Sequence, residues 1–167
     1  GWGAMKAKTQ SVSQSAKSSV GSVNLPFEMS VGYQIRMTHR ALQRYLQSKI
    51  EPYGVTLGMW YFLRALWQED GLTQRELSRR IGTMEPTTLS AIQTMERAGL
   101  VKRVRNKADK RKLHIYLTGK GRELKSDLLP LAIEVVAQAT RNMSPKETTI
   151  LLQMLGKIQS NLGVQRG

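Results

Sequence analysis

The chain of 167 residues has no cysteine, only two histidines and no long apolar run, and each absence excludes a class of protein. Without cysteine there can be no disulfide scaffold, thiolate zinc site, iron–sulfur cluster or thiol-based oxidant sensor. His39 and His114 are too few for a histidine-rich metal centre. No apolar run approaches the roughly 18 residues that span a bilayer. We therefore expect a cytoplasmic protein with no metal, no cofactor and no membrane span.

Acidic residues are also scarce, with 12 Asp and Glu against 26 Lys and Arg and a net charge of +14. An excess of this size is typical of proteins with a polyanionic partner, either nucleic acid or an anionic membrane surface. A membrane-surface protein would carry its cations on an amphipathic helix. Here they cluster in a predicted hairpin, which favours nucleic acid.

The first 24 residues differ from the remainder of the chain. Residues 1–4, ahead of Met5, resemble a remnant of recombinant expression, and Met5 is the expected native start. Residues 6–24 carry three lysines, many serines and no acids. This composition, which lacks an apolar stretch, predicts a flexible basic arm rather than a secretory signal.

Apolar periodicity and helix caps predict the order helix, helix, helix, helix, strand, strand, helix, helix. Thr73 with Glu76 three residues later has the capping-box spacing, Pro86 suits a first helical turn, and Ser144 is a strong helix start. The predicted helices cover about residues 30–50, 56–70, 73–81, 85–98, 120–142 and 144–162, and the predicted strands cover residues 101–105 and 112–117. The fold class is thus mainly α with a small β-hairpin wing, a winged helix-turn-helix.

The fourth predicted helix would be the recognition helix, because a helix fits the major groove and its first residues reach base edges. Leu89, Ile92 and Met95 fall at three-residue steps and are expected to pack inward. The remaining side chains are small or polar, as close approach to DNA requires. The predicted DNA contacts on this helix are Pro86, Thr87, Thr88, Ser90, Ala91, Gln93 and Thr94.

The hairpin is strongly basic, with seven Lys or Arg and one acid, Asp109, among residues 101–112. A charge run alone is as consistent with a solvated face as with a binding site. Directly behind a helix-turn-helix, however, it lies where phosphates would be. The predicted DNA contacts of the wing are Arg105, Lys107, Asp109, Lys110 and Arg111.

Over about residues 30–161 the chain resembles the multiple antibiotic resistance regulator (MarR) family. The resemblance is carried by the segments 72–77, 86–89 and 95–101, by Arg103 and the wing sequence Asp109-Lys110-Arg111, and by the sequence Leu117-Thr-Gly-Lys-Gly121. It implies a ligand-responsive homodimer, usually a repressor of a nearby operon, that reads a near-palindromic double-stranded operator.

The resemblance also implies individual roles. Arg111 would insert into the minor groove while Asp109 orients it. Gln74 and Arg75, at the start of the third helix, would meet backbone phosphate. The first helix and the last two would form the dimer interface. The expected domains are accordingly a dimerisation helix in residues 25–55, the DNA-binding domain in residues 56–118 and dimerisation helices in residues 119–167.

The sequence itself supports dimerisation, because Leu25, Phe27 and the apolar stripes of the first and last helices exceed what one winged helix of this size can bury.

Members of such a family commonly bind small aromatic acids or their thioesters. A cationic cluster and aromatic side chains on neighbouring helices would suit an aromatic carboxylate or an acyl-coenzyme A. The alternative is that the aromatics are core and the cations are surface. The residues of this predicted effector site are Arg36, His39 and Arg40 on the first helix and Trp60, Tyr61 and Trp67 on the second.

Two other functions compete with that of a regulator. The chain has no Gly-rich phosphate loop, nucleophile elbow, metal-ligand pair or convincing carboxylate pair, so we expect no enzyme. A non-specific architectural DNA- or RNA-binding protein would also use the basic arm and the high charge. The wing lacks the interleaved aromatics typical of single-strand binding, with Tyr116 only at its end, so sequence-specific duplex binding is favoured.

Overall fold

The computed structural model describes residues 23–164, so the predicted arm of residues 6–24 lies almost entirely outside the described residues. Short 3-10 helices at Phe27–Met29 and Glu51–Tyr53 accompany the main elements. The order confirms the predicted winged helix-turn-helix. The main elements are α1 (Val31–Ile50), α2 (Leu57–Gln68), α3 (Gln74–Ile81), α4 (Glu85–Arg97), β1 (Val101–Arg105), β2 (Leu113–Leu117), α5 (Gly119–Ala139) and α6 (Pro145–Asn161).

The chain divides between Arg44 and Tyr45 into two compact units, and α1 contributes residues to both. In the first unit the ring of Phe27 stacks on that of Tyr33 with centroids 4.5 Å apart. The second unit contains the helix-turn-helix and the wing.

The core of the second unit is built around α2. Thr56 is its N-cap, and the helix is apolar on most of its circumference, so it is buried on most sides. Trp60, Leu63 and Leu66 are each at most 1% exposed. Their partners come from the helix-turn-helix, the hairpin and α5, and include Leu72, Leu77, Ile92, Met95, Leu100, Ile115 and Leu128.

The turn between α3 and α4 follows from local chemistry. As predicted, Thr73 caps α3: its Oγ1 accepts a hydrogen bond from the backbone N–H of Glu76 at 3.1 Å. Gly82 ends the helix in the left-handed region with φ of 73°, a conformation that costs glycine little. Pro86 then occupies the first turn of α4.

The wing is an antiparallel hairpin in which Val101 pairs with Leu117 and Arg105 with Leu113. β2 begins one residue later than predicted, because Lys112 still belongs to the turn and donates its backbone N–H to Asp109 O at 3.0 Å.

The hairpin is fixed to the segment that precedes α3. The backbone N–H of Ile115 donates to Leu72 O at 2.8 Å. The backbone N–H of Leu117 donates to Asp70 Oδ1 at 2.9 Å. These bonds set the position of the wing relative to the start of α3, since they tie the backbone of β2 to that segment.

The last two helices differ in burial. α5 contains Pro130 and ends at Ala139, three residues before the predicted end, because the chain turns at Thr140, whose O accepts the backbone N–H of Met143 at 3.0 Å. Asn142, within this turn, adopts a left-handed conformation with φ of 66°. α6 begins with the predicted Ser144 cap, which forms a full capping box with Glu147, and has no buried residue. Among residues 23–164, no helix combines the length and the apolar character needed to cross a membrane.

Candidate nucleic-acid interface

The outer face of α4 carries small and polar side chains. Pro86, Thr87, Ser90 and Gln93 are exposed, and Ala91 and Thr94 are half-buried. Ile92 and Met95, on the opposite face, are fully buried and anchor the helix to the core. Six of the seven predicted contacts on this helix therefore have surface available to a ligand.

Thr88 lies in the interior of the helix-turn-helix and not on the outer face of α4. It is 0% exposed, so the prediction that it contacts DNA is wrong. Its Oγ1 lies 2.7 Å from the Oγ of Ser78 on α3, and this buried hydrogen bond joins the two helices of the motif. Thr88 takes the inward position expected of Leu89, which is only half-buried.

The start of α3 presents the other predicted helical contacts. Gln74 is half-buried and Arg75 is exposed in the first turn of the helix. Backbone N–H groups at a helix N-terminus carry partial positive charge, which adds to the cation of Arg75. Arg79 lies one turn further along, and its four-residue spacing from Arg75 could have indicated the shared face.

The wing turn is held by its own backbone and side chains. Asn106 Oδ1 accepts hydrogen bonds from the backbone N–H groups of Ala108 at 2.8 Å and Asp109 at 2.9 Å. Arg105 Nη1 donates to Lys110 O at 2.6 Å. Arg105 is therefore engaged in shaping the turn, whereas the side chains of Lys107 and Lys110 are exposed.

At the tip, Asp109 and Arg111 form a bidentate ion pair. Arg111 Nε donates to Asp109 Oδ1 at 3.0 Å and Nη2 donates to Oδ2 at 3.3 Å. The side-chain hydrogen bond from Arg111 lowers the pKa of Asp109 below its ordinary value, with smaller contributions from the Arg111 backbone and the charge of Lys112. The Arg111 side chain remains 91% exposed, so the pair orients the guanidinium without enclosing it.

His114 and Arg103 attach the wing to the rest of the second unit, and the partners of both side chains were missed in the sequence. His114 Nδ1 lies 2.8 Å from Gly71 O and Nε2 lies 3.0 Å from Asn106 Nδ2. A carbonyl only accepts, so Nδ1 carries the proton and Nε2 accepts from the amide. Arg103 makes two hydrogen bonds to the carboxylate of Glu96 on α4, at 3.2 and 3.0 Å. Gly71 and His114, and likewise Glu96 and Arg103, belong to different elements, so periodicity within one element gave no signal for these contacts.

An open groove separates the start of α3 from the wing. Five cations and three carboxylates share it, and Thr73, Gln74 and Leu113 complete its lining. Arg79, Lys112 and Glu85 were not among the predicted site residues. The charged lining residues are Arg75, Arg79, Arg105, Arg111 and Lys112, with Glu76, Glu85 and Asp109.

The cations of the predicted effector site belong to the first unit. Arg36, His39 and Arg40 are exposed on α1. His39 Nε2 lies 3.1 Å from Gln43 Nε2. Within residues 23–164, no cluster of three or more His, Asp or Glu side chains could hold a metal ion.

The predicted aromatic residues belong to the second unit and differ in burial. Trp60 is 1% exposed and is part of the core. Trp67 is half-buried and donates from Nε1 to Gly121 O at 2.9 Å. Tyr61 is 40% exposed, and the guanidinium carbon of Arg64 lies 6.0 Å from the centroids of both the Tyr61 and the Trp60 ring.

The chain is similar to known regulators in sequence and in structure. The MarR family profile matches residues 55–113, which run from the start of α2 into the wing. The HTH-type transcriptional regulator TtmR of Methylorubrum extorquens is 30% identical over 129 residues, which are 76% of this chain and 64% of TtmR. The chain thus spans less than two thirds of the length of that relative.

Two solved structures share the fold at comparable identity. A MarR transcriptional regulator from Methanosarcina mazei is 31% identical with a TM-score of 0.74, and the match covers 81% of this chain and 98% of the other. MepR of S. aureus, solved as a complex with DNA, is 25% identical with a TM-score of 0.74, over 79% of this chain and 98% of MepR. With the winged helix-turn-helix in place and a relative matched over nearly its whole length, the chain belongs to the MarR family of transcriptional regulators.

Proposed function

We propose that the protein is a sequence-specific, double-stranded DNA-binding transcription regulator that acts in the cytoplasm, where operator DNA is found. One observation carries the proposal: the exposed polar face of α4 lies in the same unit as a wing whose Arg111 is 91% exposed yet oriented by Asp109. A helix with such a face enters the major groove, and an oriented guanidinium suits the narrow minor groove.

The remaining charged groups would fix the register on the duplex. Arg75 and Gln74 would meet phosphate at the N-terminus of α3, and Lys107 and Lys110 would meet it from the wing. Contacts of this kind carry no sequence information, but they supply affinity that falls with salt. Sequence would be recognised by α4, through Thr87, Ser90, Gln93 and their neighbours.

We propose that the protein acts as a homodimer on a near-palindromic operator, with half-sites about one helical turn apart. In support, α6 has no buried residue although it carries an apolar stripe. Leu151, Leu152 and Met154 are 43%, 63% and 44% exposed. An apolar helix face left open in one copy is typical of an obligate interface.

We further propose that the protein is a repressor, released by an aromatic carboxylate or its acyl-coenzyme A thioester. Arg36 and Arg40 are exposed cations one helical turn apart, with His39 beside them, and they would bind the carboxylate or phosphate groups of the effector. Tyr61 offers an exposed ring on α2. Trp60 and Trp67 would act through packing, since the first is buried and the second is tied to Gly121 O.

Effector release can be tested separately from DNA binding. Aromatic acids and their coenzyme A thioesters would be screened for release of the protein from its operator. Arg36→Ala and His39→Ala should abolish release while DNA affinity stays within about twofold. Arg141→Ala, which removes another exposed cation far along the chain, is the control. Unchanged release in the first two variants would refute the role of these cations.

DNA recognition itself is tested on the region immediately upstream of the gene, against a scrambled duplex, at two salt concentrations. A preference of about 10³-fold or more, retained at the higher salt, is expected of a site-specific regulator. Equal binding to both duplexes that collapses with salt would indicate phosphate contacts alone. The net charge of +14 favours that architectural function as the second candidate.

A further inference from the structure

Glu85 is an acidic residue in a place where DNA would approach. It is the first residue of α4, its side chain is exposed, and it lines the groove between α3 and the wing. Four of the cations that line the groove are arginines. Within residues 23–164, nevertheless, Glu85 takes part in none of the ion pairs.

The other two carboxylates of the groove are already occupied. Glu76 Oε1 accepts a hydrogen bond from Thr73 Oγ1 at 2.9 Å as part of the α3 cap. Asp109 is bound in a bidentate manner by Arg111. Glu85 is the one carboxylate of these three that accepts no hydrogen bond and forms no ion pair within the described part of the chain, so both of its oxygens are available to an incoming donor.

A free carboxylate on a DNA-facing helix has a cost, because it would face a polyanion. The helix dipole at the first turn of α4 favours a negative charge at this position. On DNA the carboxylate can be accommodated only where a base edge presents a hydrogen-bond donor. Phosphates and the acceptor atoms of guanine and thymine would repel it.

The hydrogen-bonding groups on the base edges of the major groove determine which base Glu85 could contact. Two bases present an amino group there, cytosine through N4 and adenine through N6. Adenine N6 lies between two acceptors, its own N7 and O4 of the paired thymine, and both repel a carboxylate. Cytosine N4 has only one such neighbour, O6 of the paired guanine, so a carboxylate favours cytosine.

We propose that Glu85 selects cytosine at one position of each half-site by accepting a hydrogen bond from its N4 amino group. This inference rests on the proposed function, because it requires α4 to enter the major groove. It adds a specificity-determining residue that discriminates against the other three bases through charge. The expected discrimination is about tenfold per half-site.

The test is selection from a duplex library randomised over both half-sites, with the wild type, Glu85→Gln, Glu85→Ala and Glu123→Gln in parallel. Glutamine keeps the shape of glutamate but pairs with the N6 and N7 of adenine. Glu123→Gln removes the same charge from the exposed surface of α5, outside the groove. Circular dichroism and thermal unfolding would establish that all four proteins are folded.

We expect the wild type and Glu123→Gln to enrich cytosine at the same position. Glu85→Gln should shift that position to adenine by about tenfold, and Glu85→Ala should accept all bases there. Enriched cytosine that persists in both Glu85 variants would overturn the inference and leave the proposed function standing. An equal gain in affinity for every sequence in the Glu85 variants would also overturn it, because Glu85 would then face phosphate. A wild type that enriches no sequence would overturn the proposed function as well.

Discussion

The hydroxyl oxygens of Ser78 and Thr88 lie 2.7 Å apart in the interior of the helix-turn-helix, one on each helix. Ser78 is 6% exposed and Thr88 is 0% exposed, so neither hydroxyl has water as a substitute partner. The pair fixes how α4 is set against α3, and with it the face that α4 offers to DNA. Leu77, Ile92 and Met95 pack α3 against α4 through apolar contacts, which are not directional. The buried hydrogen bond is directional, so it fixes the orientation of one helix relative to the other.

Thr88→Val preserves the shape of the side chain and removes its hydroxyl. We expect a loss of about 0.5–1.5 kcal/mol in the free energy of unfolding, because the hydrogen bond between the two helices is lost while Ser78 Oγ keeps Gln74 O, 3.1 Å away, as an acceptor. Urea denaturation measures this loss. Thr87→Val, at the exposed neighbouring position, should stay within about 0.5 kcal/mol of the wild type. Equal stability of the Thr88→Val and Thr87→Val variants would mean that the hydroxyl pair does not stabilise the motif.

The helix caps of this fold could be predicted from the sequence, whereas the burial of Thr88 could not. Helix starts at Thr73 and Ser144 were predictable because a cap and its partner are three residues apart. The inward face of α4 was assigned by hydrophobicity, which favours Leu89. Thr88 is buried instead because Ser78, ten residues away, satisfies its hydroxyl. No local pattern predicts that pairing.

Local sequence patterns also indicated the basic wing, but not the contacts between distant residues that position it. The seven cations of residues 101–112 indicated the wing directly. The attachment of the wing to the helices did not show in the sequence, because it depends on distant groups such as Asp70 Oδ1 with Leu117 N–H. From the sequence alone, the aromatic residues of α2 could belong either to the core or to an effector-binding site. Burial assigns Trp60 to the core and leaves Tyr61 exposed, a difference that only the packed structure contains.

The Asp109–Arg111 pair predicts a pH dependence of the wing. Because Arg111 lowers the folded-state pKa of Asp109 below its unfolded value, the pair stabilises the wing at pH above the unfolded value of about 3.9. That contribution is lost as the pH falls through the lower folded value. NMR titration of the Asp109 carboxyl should give a midpoint below about 3.9.

A matched pair of variants identifies the cause of this shift. Arg111→Gln should raise the titration midpoint of Asp109 towards its ordinary value, because the guanidinium is the main cause of the lowering. Lys110→Gln removes a neighbouring cation that is not among the causes and should leave the midpoint unchanged. An Asp109 midpoint that does not respond to Arg111→Gln would show that the ion pair is absent in solution.

Two glycines at the start of α5 are predicted to respond oppositely to alanine. A Cβ at Gly121 would collide with the backbone carbonyl oxygen of Leu100, whereas one at Gly119 would meet nothing within 4 Å. Gly121→Ala must therefore displace the chain ahead of β1, which we expect to cost about 1–3 kcal/mol. Gly119→Ala should be neutral or stabilising by up to about 1 kcal/mol, since alanine favours the helix. Thermal and urea unfolding would measure both, and equal effects would contradict the close packing of Gly121.

The exposed apolar stripe of α6 is expected to form part of the proposed dimer interface. Leu151→Glu places a charge on a surface that a second copy would bury, and an unpaired buried carboxylate is strongly unfavourable. We expect the variant to be monomeric at micromolar concentration by sedimentation equilibrium. Its affinity for a palindromic operator should fall towards that for a single half-site, because the two recognition helices are no longer linked.

The control for this experiment lies on the same helix. Gln153→Glu introduces the same charge two residues further on, about 200° around α6 from Leu151. Gln153 is also exposed, so a non-specific effect of charge on α6 would act on both variants alike. A dimeric Gln153→Glu variant beside a monomeric Leu151→Glu variant would assign the interface to the apolar stripe. Two dimeric variants would instead require that the copies meet elsewhere, and the exposed leucines of α6 would then need another partner.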